Sequence, residues 1–73
     1  MKWYKYFGKS IFASDGRYVL HVDYFGDEDW NFLVIDTVTM RFSNTHTTFI
    51  WSKSKEGMKK ICLEQYELLK NQK

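Results

Sequence analysis

The run Trp30-Asn31-Phe32-Leu33-Val34-Ile35-Asp36-Thr37-Val38-Thr39-Met40-Arg41-Phe42-Ser43 decides the fold. Trp30, Phe32, Val34, Val38, Met40 and Phe42 take even positions, broken only by Asp36, while Thr37, Thr39, Arg41 and Ser43 alternate against them. A side-chain period of two belongs to a strand with two different faces. Sustained over thirteen residues, it predicts one long bent strand, or two strands meeting near Asp36-Thr37.

Turn signals flank this run on both sides. Upstream, Gly26-Asp27-Glu28-Asp29 reads as a four-residue hairpin loop between Phe25 and Trp30. Further back, Ser14-Asp15-Gly16 marks a second hairpin, because Asp-Gly tolerates the positive φ of a type I′ turn. It joins a first strand over about 2–13 to a second over 17–25, with Gly8 marking a bulge or bend in the first. Downstream, Ser43-Asn44-Thr45 is a tight turn, with Asn44 suited to the left-handed conformation. Thr47, Thr48, Phe49 and Ile50 then predict a fourth strand over 46–51.

After Trp51 the period changes. Met58, Ile61, Cys62, Gln65, Leu68 and Leu69 form one helical stripe. Ser52 or Ser54 caps its start, Glu56 suits the first turn, and Lys70 and Lys73 suit the end of the helix dipole. The expected architecture is α+β: a strongly bent four-stranded antiparallel meander and one C-terminal helix on one face, ordered ββββα.

Length and composition agree. Seventy-three residues make a single compact domain, 1–73. The 44% hydrophobic and 19% aromatic content excludes disorder. One cysteine, Cys62, excludes an internal disulfide and a cysteine-based zinc site and suits a reducing, cytoplasmic setting. No apolar run reaches the ~18 residues of a membrane span, and Met1-Lys2-Trp3-Tyr4-Lys5 lacks a signal-peptide core. Residues 1–52 carry five basic and six acidic residues, and residues 53–73 carry six and three, so a mildly acidic sheet meets a mildly basic tail.

With a four-residue loop, Leu20 faces Ile35 and Val22 faces Leu33, and both sheet faces are then apolar. A helix of about 17 residues, roughly 25 Å long, covers one face only. The even-numbered stripe, with Phe49 and Trp51, is the richer and is expected beneath the helix. That leaves Tyr18, Leu20, Tyr24, Leu33 and Ile35, with Tyr4 and Tyr6, on the other face. The leftover face must curl on itself, pair with a second copy as a homodimer, or bind another macromolecule.

No catalytic signature is present: the four glycines are dispersed, and no Walker loop or nucleophile elbow occurs. His21 and Asp23, two apart on one strand, read as a surface ion pair, and His46 has no metal-ligand partner at a recognised spacing. The chain therefore reads as no enzyme, with no cofactor and no metal. The leading expectation is a protein-binding module. Its candidate partner-binding residues are Tyr18, Tyr24, Leu33 and Ile35, with Asp27, Glu28 and Asp29 as a docking loop for a basic surface. The partner is another protein or a second copy. A compact, proline-free chain rich in lysine and aromatics also has the look of a small phage or mobile-element protein, which often acts as an inhibitor of a host protein.

The alternative is a single-stranded nucleic-acid binder. The order ββββα resembles the single-strand-binding folds of the transcriptional-coactivator, Pur-repeat and Whirly types, which the resemblance implies would bind on an aromatic and basic sheet. On physical grounds Trp3, Tyr4, Tyr6 and Tyr18 suit base stacking, and Lys2, Lys5, Lys9 and Arg17 suit phosphates.

Overall fold

The computed structural model describes residues 1–24 and 29–72. It is an α+β fold: one open antiparallel sheet in meander order, followed by the predicted C-terminal helix. The strands are β1 (Tyr4–Phe7), β2 (Ser10–Ser14), β3 (Tyr18–Tyr24), β4 (Trp30–Asp36) and β5 (Phe42–Asn44). A short helix α1 (Thr45–Thr48) and the long helix α2 (Lys55–Lys70) complete it. No helix among the described residues is long and apolar enough to cross a membrane.

The predicted first strand is itself a hairpin. Gly8, at φ 54°, turns the chain between β1 and β2, a conformation glycine adopts without a Cβ penalty. At the next turn Gly16 has φ 97°, and the Asp15 carboxylate accepts the backbone N–H groups of Arg17 and Tyr18 at 2.9 and 2.7 Å. The long alternating run divides at Asp36, the second of its two predicted forms. Asp36 is buried and accepts both Arg17 Nε at 2.9 Å and Nη2 at 2.8 Å, together with the Val38 N–H. One carboxylate thus pins the β2–β3 turn and closes the β4–β5 turn. The Arg17 hydrogen bonds hold its pKa far below the ordinary carboxylate range. Beyond this turn the even-numbered Val38, Met40 and Phe42 are exposed rather than under the helix.

The predicted strand over 46–51 does not form. Asn44 accepts the Thr47 N–H at 2.8 Å while Thr47 Oγ1 accepts the Asn44 N–H at 3.2 Å. This reciprocal cap starts α1 and outweighs the strand preference of the threonines. Phe49, at φ 59°, ends α1, and the Trp30 N–H then donates to the Ser52 carbonyl at 2.8 Å. Phe49 and Trp51, expected beneath the helix, are exposed.

The β3–β4 register differs from the predicted one by a residue. Tyr24 faces Trp30, Val22 faces Phe32 and Leu20 faces Val34, so the connection is five residues long, 25–29. A one-residue slip moves a whole strand's side chains to the opposite face. Tyr18, Leu20, Val22 and Tyr24 therefore join Trp30, Phe32 and Val34 on one side. α2 packs on that side against β3 and β4, and its Met58, Cys62, Tyr66 and Leu69 share one core with Ile11, Ala13, Leu20, Val22, Phe32 and Val34. Ser54 caps α2 by accepting the Gly57 N–H at 3.0 Å.

Candidate functional site

The uncovered side of the sheet is built by register. Tyr4, Phe12, His21, Leu33 and Asn44 are successive partners across all five strands. At the usual strand spacing this row is roughly 19 Å long. A second row runs Ser14, Val19, Ile35, Phe42, and a third pairs Asp23 with Asn31. Phe12, Val19, Leu33 and Ile35 are half-buried, while Tyr4 is 53% and Phe42 52% exposed.

At the β1 edge the rings interlock. Tyr4 and Tyr6 lie 5.7 and 5.8 Å from Phe12, and Tyr6 meets His21 edge-on at 5.2 Å. The Tyr6 hydroxyl donates to Asp23 Oδ1, and His21 Nδ1 lies 3.2 Å from the same oxygen. Burial, reinforced by the Asp23 bond, raises the Tyr6 pKa. His21 and Asp23 are thus joined through Tyr6.

This geometry divides both predicted sets. Leu33 and Ile35 lie on the open face, as expected. Tyr18 does not: it is 6% exposed and packs edge-on against Tyr66 at 5.4 Å beneath α2. Tyr24 stacks on Trp30 at 4.9 Å on the helix side, with Lys9 Nζ 4.8 Å above its ring. Asp27 and Glu28 lie outside the described residues. Asp29 pairs with Lys53 at 3.0 Å.

Of the nucleic-acid set, Tyr4 and Tyr6 reach the open face. Trp3 packs against the core with Lys59 Nζ 5.7 Å from its ring. Lys5 pairs with Ile11, which puts it on the helix side. Lys9 sits over Tyr24, and Arg17 is held by Asp36. Lys5, Lys9 and Arg17 therefore lie away from the open-face Tyr4 and Tyr6, and Lys9 and Arg17 sit over the helix-side rings of Tyr24 and Tyr18.

Phe12, Val19 and Phe42 are open-face residues that sequence reading does not single out, whereas His21, read with Asp23 as a surface ion pair, lies on that face and meets Asp23 through the Tyr6 hydroxyl. The parity of β2 against Tyr4 and Tyr6 was the available signal for Phe12. Cys62 is enclosed beneath the sheet, and burial pushes its thiol up to about 12, which keeps it protonated and unreactive. Among the described residues, no group of three or more His, Cys, Asp or Glu side chains is placed to hold a metal ion. A shallow groove of about 550 Å³ between β5 and the end of α2 is spanned by Arg41, which donates to Gln72. Comparison with protein-family models, curated proteins and solved structures finds no match to this chain.

Proposed function

We propose that the chain is a non-enzymatic protein-binding module that docks its partner on the open sheet face. The observation that carries this reading is the contiguous apolar surface of Phe12, Val19, Leu33, Ile35 and Phe42, flanked by Tyr4 and Tyr6, which α2 leaves bare. An exposed apolar patch spanning a whole sheet marks an interaction surface, and tyrosines at its margin supply large contact area with a polar tip. Such a surface acts by covering a site on its partner. The composition suggests the setting of a small phage or mobile-element inhibitor of a host protein, and the lone reduced Cys62 suits a cytoplasmic one.

Affinity capture from the source cell, followed by direct binding of the purified captured protein, tests the reading. Wild type is expected to bind a protein that Ile35→Asp fails to bind while its circular dichroism is unchanged. Equal binding by Ile35→Asp overturns the proposed face. Nanomolar binding of single-stranded oligonucleotides that weakens steeply between two salt concentrations favours the nucleic-acid alternative instead.

A further inference from the structure

Resting on the protein-binding reading above, we infer that the partner meets this face with an apolar segment bearing an arginine or lysine, seated at Asp23, and that the partner is not a second copy of this chain. Among the described residues that register places on the open face, Asp23 is the only carboxylate, and no lysine or arginine is present. Its Oδ1 accepts from Tyr6, and Oδ2 has no hydrogen-bond partner among the described residues. A partner laid over Phe12, Leu33 and Ile35 buries this half-exposed carboxylate further. Removing an ionised group from water without a counter-charge is strongly unfavourable. A cation from the partner offsets that cost and sets the orientation of docking.

Asn31, directly opposite Asp23 in the ladder, strengthens the case. Its Oδ1 is buried with no hydrogen-bond donor among the described residues. A guanidinium presents several donors in one plane, so it can serve the Asp23 carboxylate and the neighbouring amide together once that amide turns outward.

The same charge distribution argues against self-pairing. In a two-fold dimer the same patch meets itself. Among the described residues that register places there, two such faces bring two carboxylates and no ammonium or guanidinium group. A phosphate backbone is disfavoured for the same reason.

The test uses fluorescein-labelled peptides of about 12 residues with alternating leucine and valine. They are identical except for one central position that is arginine, citrulline or glutamate. Anisotropy is read against the 73-residue chain. The arginine peptide is expected to bind about tenfold tighter than the citrulline peptide, with glutamate weakest. Asp23→Asn is expected to abolish the arginine preference while leaving citrulline affinity within about twofold. Equal affinity for all three peptides, lost in Ile35→Asp, overturns the cation inference but leaves the docking face standing. Binding that persists in Ile35→Asp overturns the docking face as well. Failure of every peptide to bind, or a micromolar dimer dissolved by Ile35→Asp, overturns the inference, the dimer in favour of a second copy.

Discussion

The two faces of the sheet are made of similar residues and have opposite fates. On one, Leu20, Val22, Phe32 and Val34 are sealed beneath Met58, Cys62, Tyr66 and Leu69 of α2. On the other, Val19, Leu33, Ile35 and Phe12 keep part of their surface in water, and the rings beside them are half exposed. Hydrophobicity alone does not separate the two. The polar inventory does. The covered face ends in Asp36, whose charge is matched by Arg17, and in the Asp15–Tyr66–Lys70 chain, with Tyr66 donating to Asp15 at 2.6 Å. Among the described residues, the open face ends in Asp23, held by the neutral Tyr6 phenol alone. One face is electrostatically complete, and the other is not.

Truncation separates the faces most sharply. Phe32→Ala, on the sealed side, is expected to cost about 3–5 kcal/mol by cavity formation. That is a large share of the ~4–11 kcal/mol available to a domain of this size. Leu33→Ala, one residue along but facing water, is expected to cost no more than about 1 kcal/mol. Urea unfolding of the two variants measures the contrast, and similar midpoints would refute it.

Acid should weaken the sealed side next. The Tyr66 bond, then the Tyr18 N–H, hold Asp15 at about 2, and Arg17 holds Asp36 lower still. Groups with depressed folded pKa values stabilise fully above their unfolded value near ~4 and lose that contribution as pH falls through the folded one. The thermal midpoint is expected to fall between pH 4 and 2. Asp36→Asn should melt lower than wild type at pH 6 but show a shallower acid slope. An unchanged slope would reassign the acid sensitivity.

Two smaller effects test the margins of the sealed side. Asn44→Ala removes the α1 cap and is expected to cost about 1 kcal/mol, read by the same urea titration. Gly57→Ala, which in most helices gains about 1 kcal/mol, is expected to gain nothing. Its Cβ would lie 2.7 Å from Ser52 Oγ and 2.8 Å from the capping Ser54 Oγ.

The element types were legible wherever a local rule spoke alone. Asp15-Gly16 announces a turn, Ser52 or Ser54 a cap, which Ser54 supplies, and Met58, Ile61, Cys62, Gln65, Leu68 and Leu69 a stripe, of which Met58, Cys62 and Leu69 are buried and Leu68 is exposed. Tyr66 completes that stripe between Cys62 and Leu69 but was passed over, because a tyrosine does not advertise burial as an aliphatic residue does. The strand over 46–51 was lost to a side-chain cap whose reciprocity is visible only in three dimensions. The register of β3 on β4 was the consequential miss. Register is normally chosen by the contrast between a greasy and a polar face. In β4 both alternations are largely apolar, so the contrast comes from β3 alone, where Tyr18, Leu20, Val22 and Tyr24 alternate against Val19, His21 and Asp23. The one-residue difference in register moved Tyr18 and Tyr24 out of the candidate surface and brought Val19 and His21 into it.

Finally, the order of the elements bears on how the molecule is made. Each strand pairs with the one just before it, so the sheet can assemble as the chain is synthesised. The lid for Phe32 and Val34 is α2, which follows every strand. Until residues 55–70 leave the ribosome, the nascent sheet is bare on both sides. Interrupted synthesis at that stage releases a fragment doubly prone to stick, and early contact with the partner would shield one of its two sides.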